Sequence, residues 1–181
     1  MGQDIDFDVN EAKGANAVNY VRALLKSSGY DVIDFGIETH KLMDSALNKN
    51  YKTDTNCMLH SMPDLVVVDK VTNEAEFVEV KYRETYNDGK FRFKYSRMKN
   101  YLDYWQSAIL VLVIKDTPSH CHAVRIKDIN WHRHFAGPDT SSKGRVPNDV
   151  WILRKPILKE IKEIFPKVTD NNLLRVSKLL P

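Results

Sequence analysis

Residues 108–114 constrain the fold more than any other segment, because all seven are apolar and most are β-branched. Such a run is typical of a buried strand at the centre of a sheet. It is far shorter than the ~18 residues that a bilayer-spanning helix needs. The predicted elements around it follow the order helix, hairpin, helix, strand. This order favours an α/β fold with a mixed central sheet flanked by helices.

The remaining elements follow from hydrophobic periodicity and from turn residues. Helices are expected at 9–28 and 96–106, with a short strand at 30–35 between the first helix and the polar segment 36–60. Strands at 65–69 and 77–81 form a hairpin. Further strands are expected at 122–126 and, at a sheet edge, at 150–153. A short helical piece is expected around 41–48 and a loop at 137–147. Two helices, at 156–165 and 170–180, are expected to form a C-terminal helical extension.

Length and composition describe one ordinary globular domain. The chain has 181 residues, of which 43% are apolar and 28% charged, so we expect a single domain over 1–181 with its core at about 9–126 and an extension at about 127–181. The N-terminus is acidic and lacks the basic-then-apolar order of a secretory signal. Two cysteines, Cys57 and Cys121, cannot build a disulfide framework. These features favour a cytoplasmic (intracellular) protein that has no membrane partner.

The net charge of +3 is concentrated in one stretch. Residues 81–99 carry seven basic and two acidic side chains, interleaved with aromatic ones. Basic groups neutralise phosphates and aromatic faces stack on bases, so this stretch predicts a nucleic-acid surface. The alternative is a solvated β-ribbon in which aromatic and basic residues alternate. The predicted nucleic-acid contacts are Arg83, Lys90, Arg92, Lys94, Arg97 and Lys99, and the interleaved aromatics are Tyr82, Tyr86, Phe91, Phe93 and Tyr95.

The hairpin carries the residues with the clearest chemistry. A turn centred on residues 72–73 places Asp64 opposite Val80 or Lys81, and Glu79 points to the same face as Lys81. Two adjacent carboxylates repel each other unless a cation lies between them, and oxygen ligands favour Mg²⁺ or Mn²⁺. The neighbouring ammonium suits water activation or phosphate stabilisation. The alternative is an edge strand whose charged side chains face solvent.

The residues Pro63 and Asp64, a gap of fourteen residues, and then Glu79, Val80 and Lys81 resemble the signature of the PD-(D/E)xK nuclease superfamily. That superfamily has the restriction-endonuclease-like fold and includes Holliday-junction resolvases and type II restriction enzymes. Its order of helix, hairpin, helix and strand is similar as well. The resemblance implies that Asp64, Glu79 and the Val80 carbonyl hold a metal ion, and that Lys81 is the catalytic lysine.

Two further residues are candidates for the same site. Family members often carry an extra acid on the first helix, and Glu11 fits that place because it shares a helical face with Ala15 and Leu25, which points it toward the sheet. The alternative for residues 8–11 is a capping box at the helix start. Gln106 is an accessory candidate that could reach the site from the second helix, although glutamine at a helix end is commonly a surface residue.

A zinc site is the weakest of the metal hypotheses. Cys57 and His60 could combine with His120, Cys121 and His122, or His132 could combine with His134. These spacings match no common zinc finger, and loop histidines with buried thiols explain the residues more simply.

The first functional hypothesis is a Mg²⁺-dependent nuclease, with Mn²⁺ as a substitute, which cleaves DNA phosphodiester bonds as an endonuclease. A homodimer would cut both strands of a duplex, and the apolar segments 157–165 and 173–180 are candidate dimer surfaces, unless they cover the core. The second hypothesis is a non-catalytic nucleic-acid-binding module on the same fold. The third is a protein-interaction domain in which the motif is accidental.

Overall fold

Nine strands and five α-helices make up the part of the chain that the computed structural model describes, which is residues 2–36, 53–84, 90–115, 120–129, 132–135, 149–154 and 157–180. The helices are α1 (Gly2–Ser27), α2 (Asp54–His60), α3 (Tyr95–Tyr104), α4 (Ile161–Ile164) and α5 (Asp170–Val176), with 3₁₀ turns at Ile126–Asp128 and Ser177–Leu179. The strands are β1 (Tyr30–Asp34), β2 (Leu65–Asp69), β3 (Ala75–Arg83), β4 (Lys90–Lys94), β5 (Ile109–Ile114), β6 (Cys121–Arg125), β7 (His132–Phe135), β8 (Asp149–Arg154) and β9 (Lys159–Glu160).

A six-stranded mixed sheet in the order β1-β2-β3-β5-β6-β9 forms the centre of the structure. β3 and β5 are parallel, and every other pair in this sheet is antiparallel. The parallel pair is joined by a crossover that contains β4 and α3, as a parallel connection requires. All six residues of β5 are buried. The predicted α/β class, the mixed sheet and the central position of the apolar strand are confirmed.

The alternation of side chains along β5 divides the core between the two faces of the sheet. Ile109, Val111 and Val113 pack in the cluster that contains the buried residues of α1. The intervening residues of β5, Leu110 and Leu112 among them, pack with Met98 and Tyr101 of α3 and with the phenylalanines of β4. The sheet is therefore covered on both faces, which is why its central strand is continuously apolar.

The first helix is longer than predicted, and its buried face differs from the expected one. α1 begins at Gly2 rather than near residue 9. Ala15 is exposed, while Leu25 is buried as expected. The core-facing residues recur at spacings of three and four from residue 17 onward, so this face leaves Glu11 on the exposed side of the helix. They are Ala17, Tyr20, Val21, Leu24 and Leu25.

A second sheet of three strands has the order β4-β8-β7. β8 pairs with β4 on one side and with β7 on the other, so the prediction of an edge strand at 150–153 is wrong. The strand β7 was not predicted, and α2 lies within the segment 36–60, whose polar and weakly patterned sequence did not predict a helix there. The predicted helical piece at 41–48 and the predicted loop at 137–147 lie outside the described residues.

The C-terminal segment is part of the main core rather than an extension of it. β9 pairs with β6, and residues 161–164 form only one turn of helix. Ile161, Phe165, Val168 and Val176 are buried in the cluster that includes α1. The predicted helix at 156–165 is thus mostly replaced by a short strand and a turn. No helix within the described ranges is long and apolar enough to cross a bilayer.

Replacing Phe165 with alanine tests this integration of the C-terminal segment. Phe165 is 3% exposed, and its ring meets that of Tyr30 edge-on with a centroid distance of 5.6 Å. We expect Phe165→Ala to lower the free energy of unfolding by about 3–5 kcal/mol, because it leaves a cavity in the core. Urea denaturation measures the change. The control Leu174→Ala, at a side chain that is 75% exposed, should stay within about 0.5 kcal/mol of wild type; equal small losses in both variants would contradict the assignment.

A second contact between the C-terminal segment and the sheet predicts a pH dependence. Lys167 Nζ lies 2.6 Å from Asp69 Oδ1, and the backbone N–H of Val71 also donates to that oxygen at 2.7 Å. The hydrogen bond from Lys167 and then that from Val71 hold the pKa of Asp69 below its ordinary value. A depressed carboxyl pKa stabilises the fold above the unfolded-state pKa, and this stabilisation is lost as the pH falls through the folded-state pKa.

We therefore expect Asp69→Asn to weaken the acid dependence of stability. As the pH falls from about 5 to about 2, the free energy of unfolding of wild type should decrease more than that of the variant. The variant has no carboxylate at this position, so protonation cannot remove this contact from it. Thermal unfolding followed by circular dichroism across this range measures the difference. Parallel pH profiles for the two proteins would show that the contact does not contribute.

Candidate active site

Asp64 is held at the start of β2 by contacts to both its main chain and its side chain. Its main-chain carbonyl accepts from the N–H groups of Phe35 at 2.9 Å and Gly36 at 3.1 Å. One carboxylate oxygen, Oδ2, accepts from the Val80 N–H at 2.7 Å. The residue that opens the hairpin is therefore fixed against β3.

The register of the hairpin brings Asp64 level with Glu79. Leu65 pairs with Val78, so the next pair outward is Asp64 and Glu79, rather than Asp64 with Val80 or Lys81 as expected. The predicted turn centre was one residue too late. The Asp69 carboxylate accepts from Val71 and Thr72 N–H groups, and Asn73 adopts a left-handed φ of 59°, so the turn is tightened around a different centre.

Glu79 and Lys81 project from the same face of β3, as the alternation of a strand requires. This face is opposite to that of Val78 and Val80, which pack with α1. Glu79 is only 2% exposed, and Lys81, 22% exposed, forms an ion pair with its carboxylate. A carboxylate buried to this extent is costly without a counter-charge. The central sheet therefore contains a buried acid, a second acid level with it, and an ammonium group.

These donors suit a hard divalent cation. Mg²⁺ is commonly held by one or two carboxylates and keeps several waters, and Asp64 and Glu79 supply that number, with the Val80 carbonyl as the further predicted ligand. Among the described residues, no group of three or more His, Cys, Asp and Glu side chains is placed to hold a metal ion. Cys121, one of the residues of the zinc hypothesis, is fully buried, and this burial raises the pKa of its thiol, which disfavours the thiolate that binds a metal.

Glu11 does not join the two carboxylates as a third acid. It is exposed on α1, and α1 packs on the face of β3 opposite to Glu79. The expectation that Glu11 points toward the sheet is wrong, because the core-facing positions of the helix start from a different residue. The capping-box alternative is wrong too, because α1 begins at Gly2 and residues 8–11 lie inside it. A supporting role of Glu11 in catalysis stays a prediction.

Gln106 lies at the far end of the crossover. It is exposed in the turn between α3 and β5, and its main-chain carbonyl accepts from the Lys127 N–H at 3.0 Å. Arg125, beside this turn, pairs with Glu76 at 2.5 Å. An accessory role of Gln106 in the candidate site stays a prediction.

The basic segment is only partly as expected. The guanidinium of Arg83 lies 5.4 Å from the centre of the Phe93 ring and donates to the Tyr82 carbonyl at 2.6 Å, and burial lowers its pKa. Lys99 is exposed and forms an ion pair with Asp103. The side chains of Lys90, Arg92, Lys94 and Arg97 lie outside the described residues.

The prediction that aromatics of this segment stack on bases is wrong for two of them. Phe91 and Phe93 are buried in the core between β4 and the central sheet. Tyr82 is half-buried and packs on the opposite face with α1. The alternation of aromatic and basic residues along β4 therefore reflects a strand with one core-facing side, and the alternative of a solvated β-ribbon does not describe its buried phenylalanines. Tyr86 and the side chain of Tyr95 lie outside the described residues.

An aromatic cluster beside the two carboxylates was not predicted. Phe35, Phe77 and Trp105 pack with ring centroids 5.2–6.0 Å apart. Trp105 Nε1 donates to the buried Ser61 hydroxyl at 3.2 Å, and Ser61 lies three residues before Asp64. The cluster thus holds the segment that leads into Asp64. Of the three rings, only Phe77 could have been placed near Glu79 from sequence, because residues two apart on a strand point to the same face. The other two rings come from distant segments of the chain.

Comparisons with known proteins give a distant similarity. No protein-family model matches the chain, and no curated protein sequence matches it significantly. Among solved structures, the chain is similar to Hjc, a Holliday junction resolvase from the archaeal hyperthermophile Archaeoglobus fulgidus, with 12% identity and a TM-score of 0.47. The similarity covers 83% of this chain and 98% of that one. A structural similarity with this identity and TM-score does not establish a shared activity.

Two substitutions at Asp64 separate its structural contact from its charge. Asp64→Ala removes the acceptor of the Val80 N–H, so we expect it to lower the free energy of unfolding by about 1–2 kcal/mol. Asp64→Asn keeps an amide oxygen in the same place and should cost less than about half of that. Urea denaturation of the metal-free proteins measures both. Equal losses would show that the negative charge, rather than the acceptor, stabilises this end of the hairpin.

Proposed function

We propose that this protein is a metal-dependent nuclease that hydrolyses phosphodiester bonds of DNA as an endonuclease. The observation that carries the proposal is the convergence of Asp64, Glu79 and Lys81 at the start of the hairpin, with Glu79 buried and paired to Lys81. A fold gains nothing in stability from a buried acid that needs its own counter-charge, compared with an apolar residue of similar size. A binding or catalytic role explains the arrangement better.

Each residue has a distinct part in this proposal. Asp64 and Glu79, with the Val80 carbonyl, hold Mg²⁺ or Mn²⁺. When bound, the ion would lower the pKa of a water ligand and neutralise charge on the scissile phosphate. Lys81 donates to the attacking water or to the phosphate oxygens, where negative charge develops. The Val80 N–H, which donates to Oδ2, orients the Asp64 carboxylate for this task.

The DNA backbone would follow the basic segment 81–99. Contacts from Lys90, Arg92, Lys94, Arg97 and Lys99 to phosphates would supply affinity without reading sequence. Arg83 is a weaker candidate than the sequence implied, because its side chain already lies against Phe93.

Two copies of the chain would let the protein cut both strands of a duplex. Of the two segments predicted as dimer surfaces, 157–165 contributes Ile161 and Phe165 to the core, so it serves as core cover. In the segment 173–180, Leu174 and Leu179 are 75% and 49% exposed. A homodimer through this second segment remains part of the proposal.

Nicking of supercoiled plasmid DNA tests the function directly. We expect wild type to cleave with Mg²⁺ or Mn²⁺ and to stop when the metal is chelated. Asp64→Asn, Glu79→Gln and Lys81→Met should each lower the cleavage rate at least about 100-fold, because each removes a group that acts on the reacting phosphate. Glu74→Gln and Lys127→Met, at exposed positions away from the site, are matched controls and should cleave like wild type.

The same assay distinguishes the alternatives. Tight DNA binding without cleavage of linear, nicked, single-stranded or four-way-junction DNA would support a non-catalytic binding module. Absence of DNA and RNA binding at low salt would leave a protein-interaction domain. Wild-type cleavage by Glu11→Gln would show that Glu11 has no supporting role.

A further inference from the structure

We propose that Lys81 is the resident counter-ion of the metal-free site, and that a divalent cation binds by taking its place on Glu79. This inference rests on the proposed function, because it concerns the same two carboxylates. It assigns Lys81 two successive partners: the Glu79 carboxylate before the metal binds, and the substrate phosphate or water afterwards.

The burial of the pair supports the first partner. Glu79 is 2% exposed, so solvent contributes little to stabilising its charge, and Lys81 is the cation that the structure pairs with it. The main-chain N–H of the next residue, Val80, donates to Asp64 rather than to Glu79. The ammonium group therefore supplies the positive charge that this buried carboxylate requires.

The identity of the contacted atom supports the exchange. Lys81 Nζ donates to Glu79 Oε1, and the same carboxylate is the proposed metal ligand. An ammonium and a divalent cation repel each other strongly at such close range in a poorly solvated site. Occupation of the carboxylate by the metal therefore favours departure of Lys81.

The partial exposure of Lys81 supports the second partner. Its side chain is 22% exposed, in contrast to Glu79, and a lysine has a flexible four-carbon stem. The ammonium can thus leave the carboxylate without a movement of β3, whose backbone at Lys81 is paired with Leu112 of β5. The metal-loaded site would then present a free ammonium toward solvent, where a phosphate arrives.

This arrangement predicts opposite effects on metal affinity and on catalysis. Removing the charge of Lys81 removes a competitor of the metal, so affinity rises, while cleavage is lost. A lysine with only a structural role would give weaker or unchanged metal binding. Isothermal titration of the full chain with Mn²⁺ alone, without DNA, measures the affinity.

We expect Lys81→Met to bind Mn²⁺ at least about ten-fold more tightly than wild type. Lys81→Arg keeps the charge and should bind no more tightly than wild type, and Lys127→Met controls for a change in net charge. Lys81→Gln keeps a donor to Glu79 without the charge, and it gives a second neutral variant if Lys81→Met folds poorly. As a second measurement, Mn²⁺ should raise the melting temperature of the neutral variants more than that of wild type.

Two negative results have different meanings. Equal or weaker Mn²⁺ binding by both neutral variants, with measurable binding by wild type, overturns the exchange and leaves the proposed function in place. Absence of Mn²⁺ binding by wild type and by every Lys81 variant overturns the proposed function, and the exchange with it.

Discussion

The burial of a charged residue in the central sheet is the constraint on which the rest of the structure depends. β3 pairs with β2 on one side and β5 on the other, and its Val78 and Val80 face the α1 core. Its other face carries Glu79 at 2% exposure. The sheet tolerates this acid because Lys81 lies two residues along the same face, and because Asp64 turns its own carboxylate onto the Val80 N–H. The hairpin, the crossover and the aromatic cluster all surround this one polar region.

The parts of the fold that follow from local patterns could be predicted from sequence. The β-branched run at 108–114 reports directly on burial, and both this strand and the one at 77–81 are present, although Glu79 is as buried as the valines on either side of it. The predicted hairpin register was wrong by one residue at the turn, because the Asp69 carboxylate accepts hydrogen bonds from the backbone N–H groups of Val71 and Thr72 and so sets the turn centre. The C-terminal segment was taken for an extension because its burial depends on α1, more than a hundred residues away. Local periodicity contains no information about such a partner.

The candidate site shows the same division. That Glu79 and Lys81 share a face is a property of any strand, so the sequence sufficed. That Asp64 approaches them needed the hairpin, which was predicted, and the register, which was not. The position of Glu11 depended on which side of α1 faces the sheet. The position of Gln106 depended on how α3 is placed against the sheet. Those are properties of the assembled layers. The aromatics of 81–99 were ambiguous because a core-facing strand and a base-stacking surface have the same alternating pattern.

The contact between Lys167 and Asp69 has a consequence for how the protein folds. It joins residues 98 apart in the chain, and the core on the α1 face is complete only when Phe165 and Val176 are in place. Closing so long a loop costs chain entropy before its contacts compensate, which slows folding. During synthesis, the hairpin leaves the ribosome long before the segment that covers one of its faces. The core on the α1 face of the hairpin is therefore completed late in the life of the nascent chain.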